Sequence, residues 1–193
     1  MERIINVFLA SVLTHNIALT YILGMCPLIA ISKNLKTAKG MGISVVAVIT
    51  ITGMINWPIY QFLKSTGAET IGLLVFIITI AATVQLLEMF LDKFVPSLYN
   101  AFGIFLPLIT VNCAVLAVSL FMVSRTFSFL ETVAFSFGSG LGWALAIMLI
   151  AAIREKLALT GKVPSGLEGA GIVMVIAGLI SLAFTGFGGI VNF

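Results

Sequence analysis

The sequence predicts an all-α integral membrane protein, and three features of its composition support that fold class. Of the 193 residues, 61% are hydrophobic and only 9% are charged, whereas about a quarter of the residues in an ordinary soluble domain are charged. The mean hydropathy is +1.22. The apolar stretches are continuous and lack the two-residue alternation of a membrane strand, so the pattern favours helices over a β-barrel.

Stretches without charged residues divide the chain into six predicted transmembrane helices. In chain order they cover residues 4–32, 40–63, 70–87, 94–124, 132–153 and 169–193. Each is near or above the roughly 20 residues that a helix needs to cross about 30 Å of hydrocarbon. The first and fourth stretches are the longest, which leaves room for a break in helices 1 and 4. The third is the shortest, and its last turn is expected to include Gln85 and Glu88.

The basic residues predict how these helices are oriented. Seven of the ten lie in the loops after helices 1, 3 and 5, and three lie on the opposite side. The seven are Lys33, Lys36, Lys39, Lys93, Arg154, Lys156 and Lys162, and the three are Arg3, Lys64 and Arg125. Because cytoplasmic loops are enriched in Lys and Arg, both termini are predicted on the outer side. The net charge of +3 is therefore a topology signal and does not indicate nucleic-acid binding.

The two cysteines lie in a duplicated pattern. Cys26 and Cys113 are 87 residues apart, and each is followed by alanine after four residues and by serine after six, at Ser32 and Ser119. Three predicted helices in each half place the two halves in opposite orientations. The sequence therefore predicts one membrane domain over 1–193 that is built as a 3+3 inverted-topology repeat.

The repeat places the predicted functional site near the middle of the membrane. The first repeat covers about 1–93 and the second about 94–193. In folds of this kind the site lies where the broken helices of the two repeats meet. Gly and Pro residues beside both cysteines predict these breaks, because proline removes an N–H donor and clashes with the preceding turn. They are Gly24 and Pro27 in the first repeat and Gly103 and Pro107 in the second.

The thiols are candidate metal ligands. A thiolate within a membrane needs a metal or another positive centre, because an isolated charge there is very costly. Sulfur ligands favour iron–sulfur clusters, zinc or copper(I). An iron–sulfur cluster usually takes four cysteines, so Cys26 and Cys113 would be half of such a site. Two alternatives remain at this point: a disulfide between them, or two inert buried thiols.

Other polar residues within the predicted helices are weaker candidates. Glu88 is either a cation-uptake residue at the cytoplasmic mouth or an ordinary interfacial residue, since carboxylates in membranes often mark ion paths. His15, Asn16 and Asn112 are expected to be hydrogen-bond partners between helices. The segment 138–143, with three glycines, is expected to let helices approach closely. No nucleotide-binding or catalytic-triad pattern occurs, so we expect no catalytic residue.

Several segments resemble one family of membrane proteins. They are residues 23–26, 32–37, 98–113, 121–123, 138–143 and 153–156. Together they resemble the E subunits of the Na⁺-translocating NADH:quinone oxidoreductases over essentially the whole chain. The homologous A subunits of the Rnf ferredoxin:NAD⁺ oxidoreductases share the segment 98–113. Pro27 and the compact loop between helices 2 and 3 are more similar to the Rnf protein.

The resemblance implies a role in a redox-driven Na⁺ pump of the bacterial inner membrane. It implies a [2Fe-2S] cluster held between this chain and a homologous D subunit, each supplying two cysteines, with Cys26 and Cys113 at the ligand positions. Glu88 matches an acidic position that the family associates with sodium uptake. NADH, flavins and ubiquinone would be bound by other subunits. The cluster would relay electrons across the membrane.

Two other classes of function remain open from the sequence. A metal-free secondary transporter with inverted repeats would have the same broken helices, and a scaffold subunit would have inert thiols. The sequence also leaves open whether the coupling ion is Na⁺ or H⁺. The metal content of the intact complex distinguishes a cluster-binding protein from both other classes.

Overall fold

A computed structural model describes residues 2–67, 69–94, 106–161 and 169–186, and all regular secondary structure in these ranges is helical. The helices are α1 (Glu2–Val12), α2 (Met25–Ile31), α3 (Leu35–Thr66), α4 (Gly72–Phe94), α5 (Leu106–Thr110), α6 (Cys113–Ser124), α7 (Phe129–Thr160) and α8 (Ala170–Thr185), with a short 3₁₀ helix at Glu69–Ile71. The prediction of an all-α fold is confirmed.

The centre of the molecule is the pair formed by α3 and α7, each 32 residues long. Their backbones approach closely at small residues. A Cβ added at Gly140 would lie 3.0 Å from the Cα of Val46, and one added at Gly42 would lie 3.1 Å from the Cβ of Ala144. Small residues at such contacts let membrane helices pack closely.

Helix α1 packs against α7 at two further glycines, Gly138 and Gly142. A Cβ added at Gly142 would lie 3.1 Å from the carbonyl oxygen of Val12 and 3.0 Å from the side-chain nitrogen of Asn16. Together with Gly140, these residues contact both α1 and α3. The prediction that the glycines of segment 138–143 permit close helix packing is confirmed.

Gly138→Ala is therefore expected to lower the free energy of unfolding by about 1–3 kcal/mol, the usual cost of overpacking. The new methyl would overlap the Ser11 hydroxyl and lie 3.0 Å from the carbonyl oxygen of Phe8. Thermal unfolding in detergent measures the effect. Gly178→Ala is the control, because a Cβ there meets no described atom within 4 Å. Equal stability of the two variants would contradict the close contact.

Among the described residues, three segments are long and apolar enough to cross a membrane: Leu35–Thr66, Glu69–Phe90 and Phe129–Leu159. They correspond to predicted helices 2, 3 and 5. Two shorter apolar segments in the described ranges, Leu108–Ser124 and Ala170–Thr185, fall within predicted helices 4 and 6. The complete six-span arrangement stays a prediction.

Predicted helices 1 and 4 are both broken. In the first, α1 ends at Val12 and α2 begins at Met25. In the fourth, α5 ends at Thr110 and α6 begins at Cys113. Pro27 and Pro107 lie in the first turns of α2 and α5, where a missing N–H costs nothing. Gly103 lies outside the described residues.

Candidate metal centre at the two helix breaks

Cys26 is the second residue of α2, directly after the first break. The backbone turns into α2 through Gly24, which has the left-handed conformation (φ 77°, ψ 30°) that glycine adopts without strain. Two residues earlier, Ile22 also has a positive φ of 55°, which is unusual for a β-branched residue. The Cys26 thiol is free and exposed on the surface of this chain.

Cys113 is the first residue of α6, and Asn112 caps that helix. The Asn112 side-chain oxygen accepts a hydrogen bond from the backbone N–H of Ala114 at 3.0 Å, which satisfies one of the unpaired donors at the helix start. The Cys113 thiol is free and exposed, like that of Cys26. Each thiol therefore lies in the first turn of a helix that follows a break.

The two breaks are in direct contact, and this contact is the central geometric feature of the site. A Cβ added at Gly24 would lie 2.8 Å from the side-chain oxygen of Asn112, 3.2 Å from the Cβ of Ala114 and 2.6 Å from the indole nitrogen of Trp143. Gly24 is two residues before Cys26, and the residues that it touches in α6 flank Cys113. The fold thus brings the two thiol-bearing turns together from positions 87 residues apart in the sequence.

Two buried N–H donors at this contact lack partners in the part of the chain that the structure describes. The side-chain nitrogens of Asn112 and Trp143 have no hydrogen-bond acceptor among the described residues. An unpaired buried donor is costly, and such groups in a native fold often mark a functional site. Free thiols next to unpaired N–H groups fit a metal centre that carries negative charge, such as a thiolate-bound iron–sulfur cluster.

The two cysteines of this chain would be too few for a four-cysteine metal site. Within the ranges that the structure describes, no three His, Cys, Asp or Glu side chains come together. A disulfide between the two cysteines is not formed. Because both thiols are exposed, a second protein can reach them. A four-cysteine cluster here would take its remaining ligands from outside this chain.

The polar residues predicted to pair between helices form two kinds of contact. Asn16 lies in the first break, and its side-chain nitrogen donates to the carbonyl oxygen of Gly142 in α7 at 2.8 Å. That prediction is confirmed. Asn112 instead caps its own helix through Ala114. His15 contacts the hydroxyl of Tyr21, 3.3 Å from its Nδ1 atom, within the same break.

Glu88 lies in α4 and is partly buried. The expectation that Gln85 and Glu88 lie in the last turn of this helix is wrong, because α4 continues to Phe94. The apolar stretch ends at Glu88, but Glu and Lys are good helix formers. In the part of the chain that the structure describes, Glu88 has no hydrogen bond or salt bridge. Among the described residues, no hydrogen bond or salt bridge therefore links the Glu88 carboxylate to the turns that carry the two thiols.

Sequence reasoning misses three groups around the thiols. Trp143 belongs to a glycine-rich segment that predicts packing alone, although an indole N–H buried beside three glycines is a polar group that needs a partner. Ser32 and Ser119 belong to the duplicated pattern, which by itself indicates no role for them. Each accepts a hydrogen bond from a distant helix, the donors being Arg154 and Asn56. The repetition of serine six residues after each cysteine is the available signal.

The fold and the site together define a helical membrane protein with two free thiols at a pair of contacting helix breaks. The chain belongs to the Rnf-Nqr family, whose description is "Rnf-Nqr subunit, membrane protein" and which matches residues 4–191.

Similar proteins of this family cover nearly the whole chain. One from Maridesulfovibrio salexigens is 50% identical over 98% of this chain and 99% of its own length. Proteins from Methylococcus capsulatus and Azotobacter vinelandii are each 52% identical, again over 98% of this chain and 99% of their own length. All three are named as the E subunit of a Na(+)-translocating NADH-quinone reductase.

Proposed function

We propose that this chain is the E subunit of a Na⁺-translocating NADH:quinone reductase and that Cys26 and Cys113 hold half of a [2Fe-2S] cluster within the membrane. The contact of Gly24 with Asn112 and Ala114 is the observation that carries the proposal, because it places both thiol-bearing turns side by side. The names of the relatives support the choice of complex.

We also propose a 3+3 inverted repeat with both termini on the outer side of the bacterial inner membrane. The order of elements supports it. In each half, a broken helix precedes a helix of 32 residues, and a further helix follows, α4 in the first half and α8 in the second. The two 32-residue helices pack together at the centre, as the equivalent helices of two related repeats would.

In the proposed mechanism this chain holds and orients half of the metal centre. A [2Fe-2S] cluster, when bound, accepts and passes on one electron at a time. Cys26 and Cys113 supply two thiolates, and the Gly24 contact sets the spacing of their turns. Asn112 fixes the start of α6, and so the direction of the Cys113 side chain, through its bond to Ala114. The apolar helices around the breaks exclude water.

The remaining parts of the machinery belong to partner proteins of the complex. A homologous D subunit supplies two further cysteines, and flavin-bearing and NADH-oxidising subunits deliver and remove electrons. This assignment agrees with the exposure of both thiols and with the lack of any group of three metal-binding side chains in the described ranges. The chain is thus one part of an enzyme and has no catalytic activity alone.

Iron and acid-labile sulfide analysis of the purified complex tests the proposal. We expect two irons and two sulfides for a cluster shared by the D and E subunits, beyond those of the other subunits. Electron paramagnetic resonance of the reduced complex should give the signal of a [2Fe-2S]⁺ centre that is lost when the D subunit is removed. A complex with no such iron would favour a metal-free inverted-repeat transporter or a scaffold with inert thiols.

The Rnf complex is the alternative within the same family. The family match covers both groups of proteins, so the partner proteins decide between them. Mass spectrometry of the purified complex should identify the subunits of a quinone reductase. Co-purification with the subunits of a ferredoxin:NAD⁺ oxidoreductase would instead assign this chain as the A subunit of that complex.

Glu88→Ala is expected to weaken the dependence of turnover on sodium. If the Glu88 carboxylate captures the cation, its loss should raise the sodium concentration for half-maximal turnover about tenfold, since the attraction between unit charges near a protein surface exceeds ~1 kcal/mol. Turnover of the complex as a function of sodium concentration measures the effect. Asp92→Ala, at an exposed site on the same helix, is the control. Identical sodium dependence in both variants would remove Glu88 from the uptake path.

A further inference from the structure

We propose that Ser32 and Ser119 are positioning residues for the two thiols, each fastening a thiol-bearing helix to the long helix of the opposite half. This inference rests on the proposed cluster and two-repeat organisation. Both serines are fully buried. Both lie six residues after a cysteine, which is about 9 Å along a helix. Each accepts a hydrogen bond from a side chain far away in the sequence.

In the first half, Arg154 of α7 fastens the end of α2. Its guanidinium donates to the Ser32 hydroxyl at 2.6 Å and to the carbonyl oxygen of Ile29 at 3.3 Å. Ser32 is the cap residue directly after α2, and cations stabilise the C-terminal ends of helices. Since α2 has only seven residues, it cannot form a stable helix without such tertiary contacts. The position of Cys26 therefore depends on how α2 is held.

In the second half, Asn56 of α3 fastens α6. Its side-chain nitrogen donates to the Ser119 hydroxyl at 2.8 Å, and its side-chain oxygen accepts a hydrogen bond from Thr79 of α4 at 2.6 Å. Asn56 thus connects α3, α4 and the helix that begins with Cys113.

The two hydrogen bonds differ from those of other buried serines. In the described ranges, Ser11 and Ser44 donate to carbonyl oxygens of their own helices, at Phe8 and Gly40. They add little to the position of one helix relative to another. The Ser32–Arg154 and Ser119–Asn56 bonds, in contrast, each join one half of the chain to the other. Both bonds involve the serine that lies six residues after a cysteine. The helix after each thiol is therefore held by the same kind of contact.

The test uses the intact purified complex with Ser32→Ala or Ser119→Ala in this chain. The readouts are the rate of iron loss to a chelator and the electron paramagnetic resonance spectrum of the reduced cluster. We expect iron loss roughly tenfold faster than in the wild type, because each change removes a hydrogen bond that holds a thiol-bearing helix. Ser119→Ala also leaves the buried side-chain nitrogen of Asn56 without its acceptor. We also expect altered g-values, since the geometry of one thiolate changes. Ser44→Ala, which removes a buried hydroxyl bonded within one helix, is the control.

Variants of the donors complete the test. Arg154→Met should lose iron at least as fast as Ser32→Ala, because it also removes the bond to the carbonyl oxygen of Ile29. The double variant should be no worse than Arg154→Met, because Ser32→Ala removes an interaction that Arg154→Met has already removed. Arg154→Lys keeps a charged donor and should lose iron at an intermediate rate. If an alanine variant fails to assemble, Arg154→Lys replaces it in the test.

Two outcomes are distinguishable. A wild-type complex without the cluster overturns the proposed function, and the positioning role with it. A wild-type cluster whose spectrum and iron loss are the same in Ser32→Ala, Ser119→Ala and Ser44→Ala overturns the positioning role alone.

Discussion

Cys113→Ser in the intact complex is expected to remove the shared cluster and to reduce quinone-dependent turnover by at least roughly 100-fold. Changes to residues that only support a metal ligand already cost 10–100-fold in affinity or activity, so the loss of a ligand should cost more. The Cys113 side chain is exposed, and its replacement removes no packing from the core of this chain. The effect is therefore expected on iron content and not on the fold of the protein.

Iron and labile sulfide per complex, visible absorbance and turnover are the measurements. Cys26→Ser should give the same loss, and the double variant should lose nothing further, because both thiols serve one centre. Val111→Ser is the matched control, since Val111 is an exposed residue of the same turn and offers no metal ligand. A Cys113→Ser complex with full iron content and absorbance would exclude the cluster at this site.

The positions of the helices follow closely from the sequence. Helices α3 and α7 match two uncharged stretches because a segment in lipid has to satisfy its backbone groups within itself, which a helix does. Charge-free runs therefore predict helices well. They predict helix ends less well, as Glu88 illustrates. The apolar stretch ends at Glu88. Glu and Lys nevertheless favour a helix about as much as Leu does, so the helix continues to Phe94.

The first break is predictable in its existence but not in its extent. Gly24 and Pro27 indicate an interruption near Cys26. The irregular segment, however, runs from Leu13 to Gly24. Its backbone is stabilised in part by tertiary contacts, such as the bond from Asn16 to the carbonyl oxygen of Gly142. Contacts between residues more than a hundred positions apart cannot be read from local pattern.

The same limit applies to the candidate site. The duplicated pattern identifies Cys26 and Cys113, and it contains Ser32 and Ser119. The pattern does not identify the residues that contact these cysteines and serines. Those contact residues lie in helices that carry no part of the pattern. These partners, which are Arg154, Asn56 and Trp143, follow from the packing of α3 against α7. That packing depends on where small residues fall along both helices.

Gly24→Ala is expected to be the most disruptive single-methyl change in the described part of the chain. Two costs combine. A non-glycine residue with φ near 77° loses about 1–2 kcal/mol. The new methyl would also lie 2.6 Å from the indole nitrogen of Trp143 and 2.8 Å from the side-chain oxygen of Asn112, and overpacking of this kind costs about 1–3 kcal/mol. Together they predict a destabilisation of about 2–5 kcal/mol.

Gly67→Ala separates the two costs. Gly67 ends α3 with a similar φ of 73°, but a Cβ there meets no described atom within 4 Å. It should therefore lose only the conformational part, about 1–2 kcal/mol. Thermal unfolding of the detergent-solubilised complex and its iron content compare the two variants. We expect Gly24→Ala alone to lose iron, because the methyl pushes the first break away from Asn112 and so separates the two thiols.

The glycine variants test geometry where the cysteine variants test chemistry. Cys113→Ser tests whether the thiolate is needed to hold iron. Its result does not depend on where the second thiolate lies. Alanine in place of Gly24 leaves all ligands present and changes only the distance between the turns that carry them. Equal stability and equal iron content in Gly24→Ala and Gly67→Ala would mean that the two breaks are not closely packed, and a single centre spanning Cys26 and Cys113 would lose its structural basis.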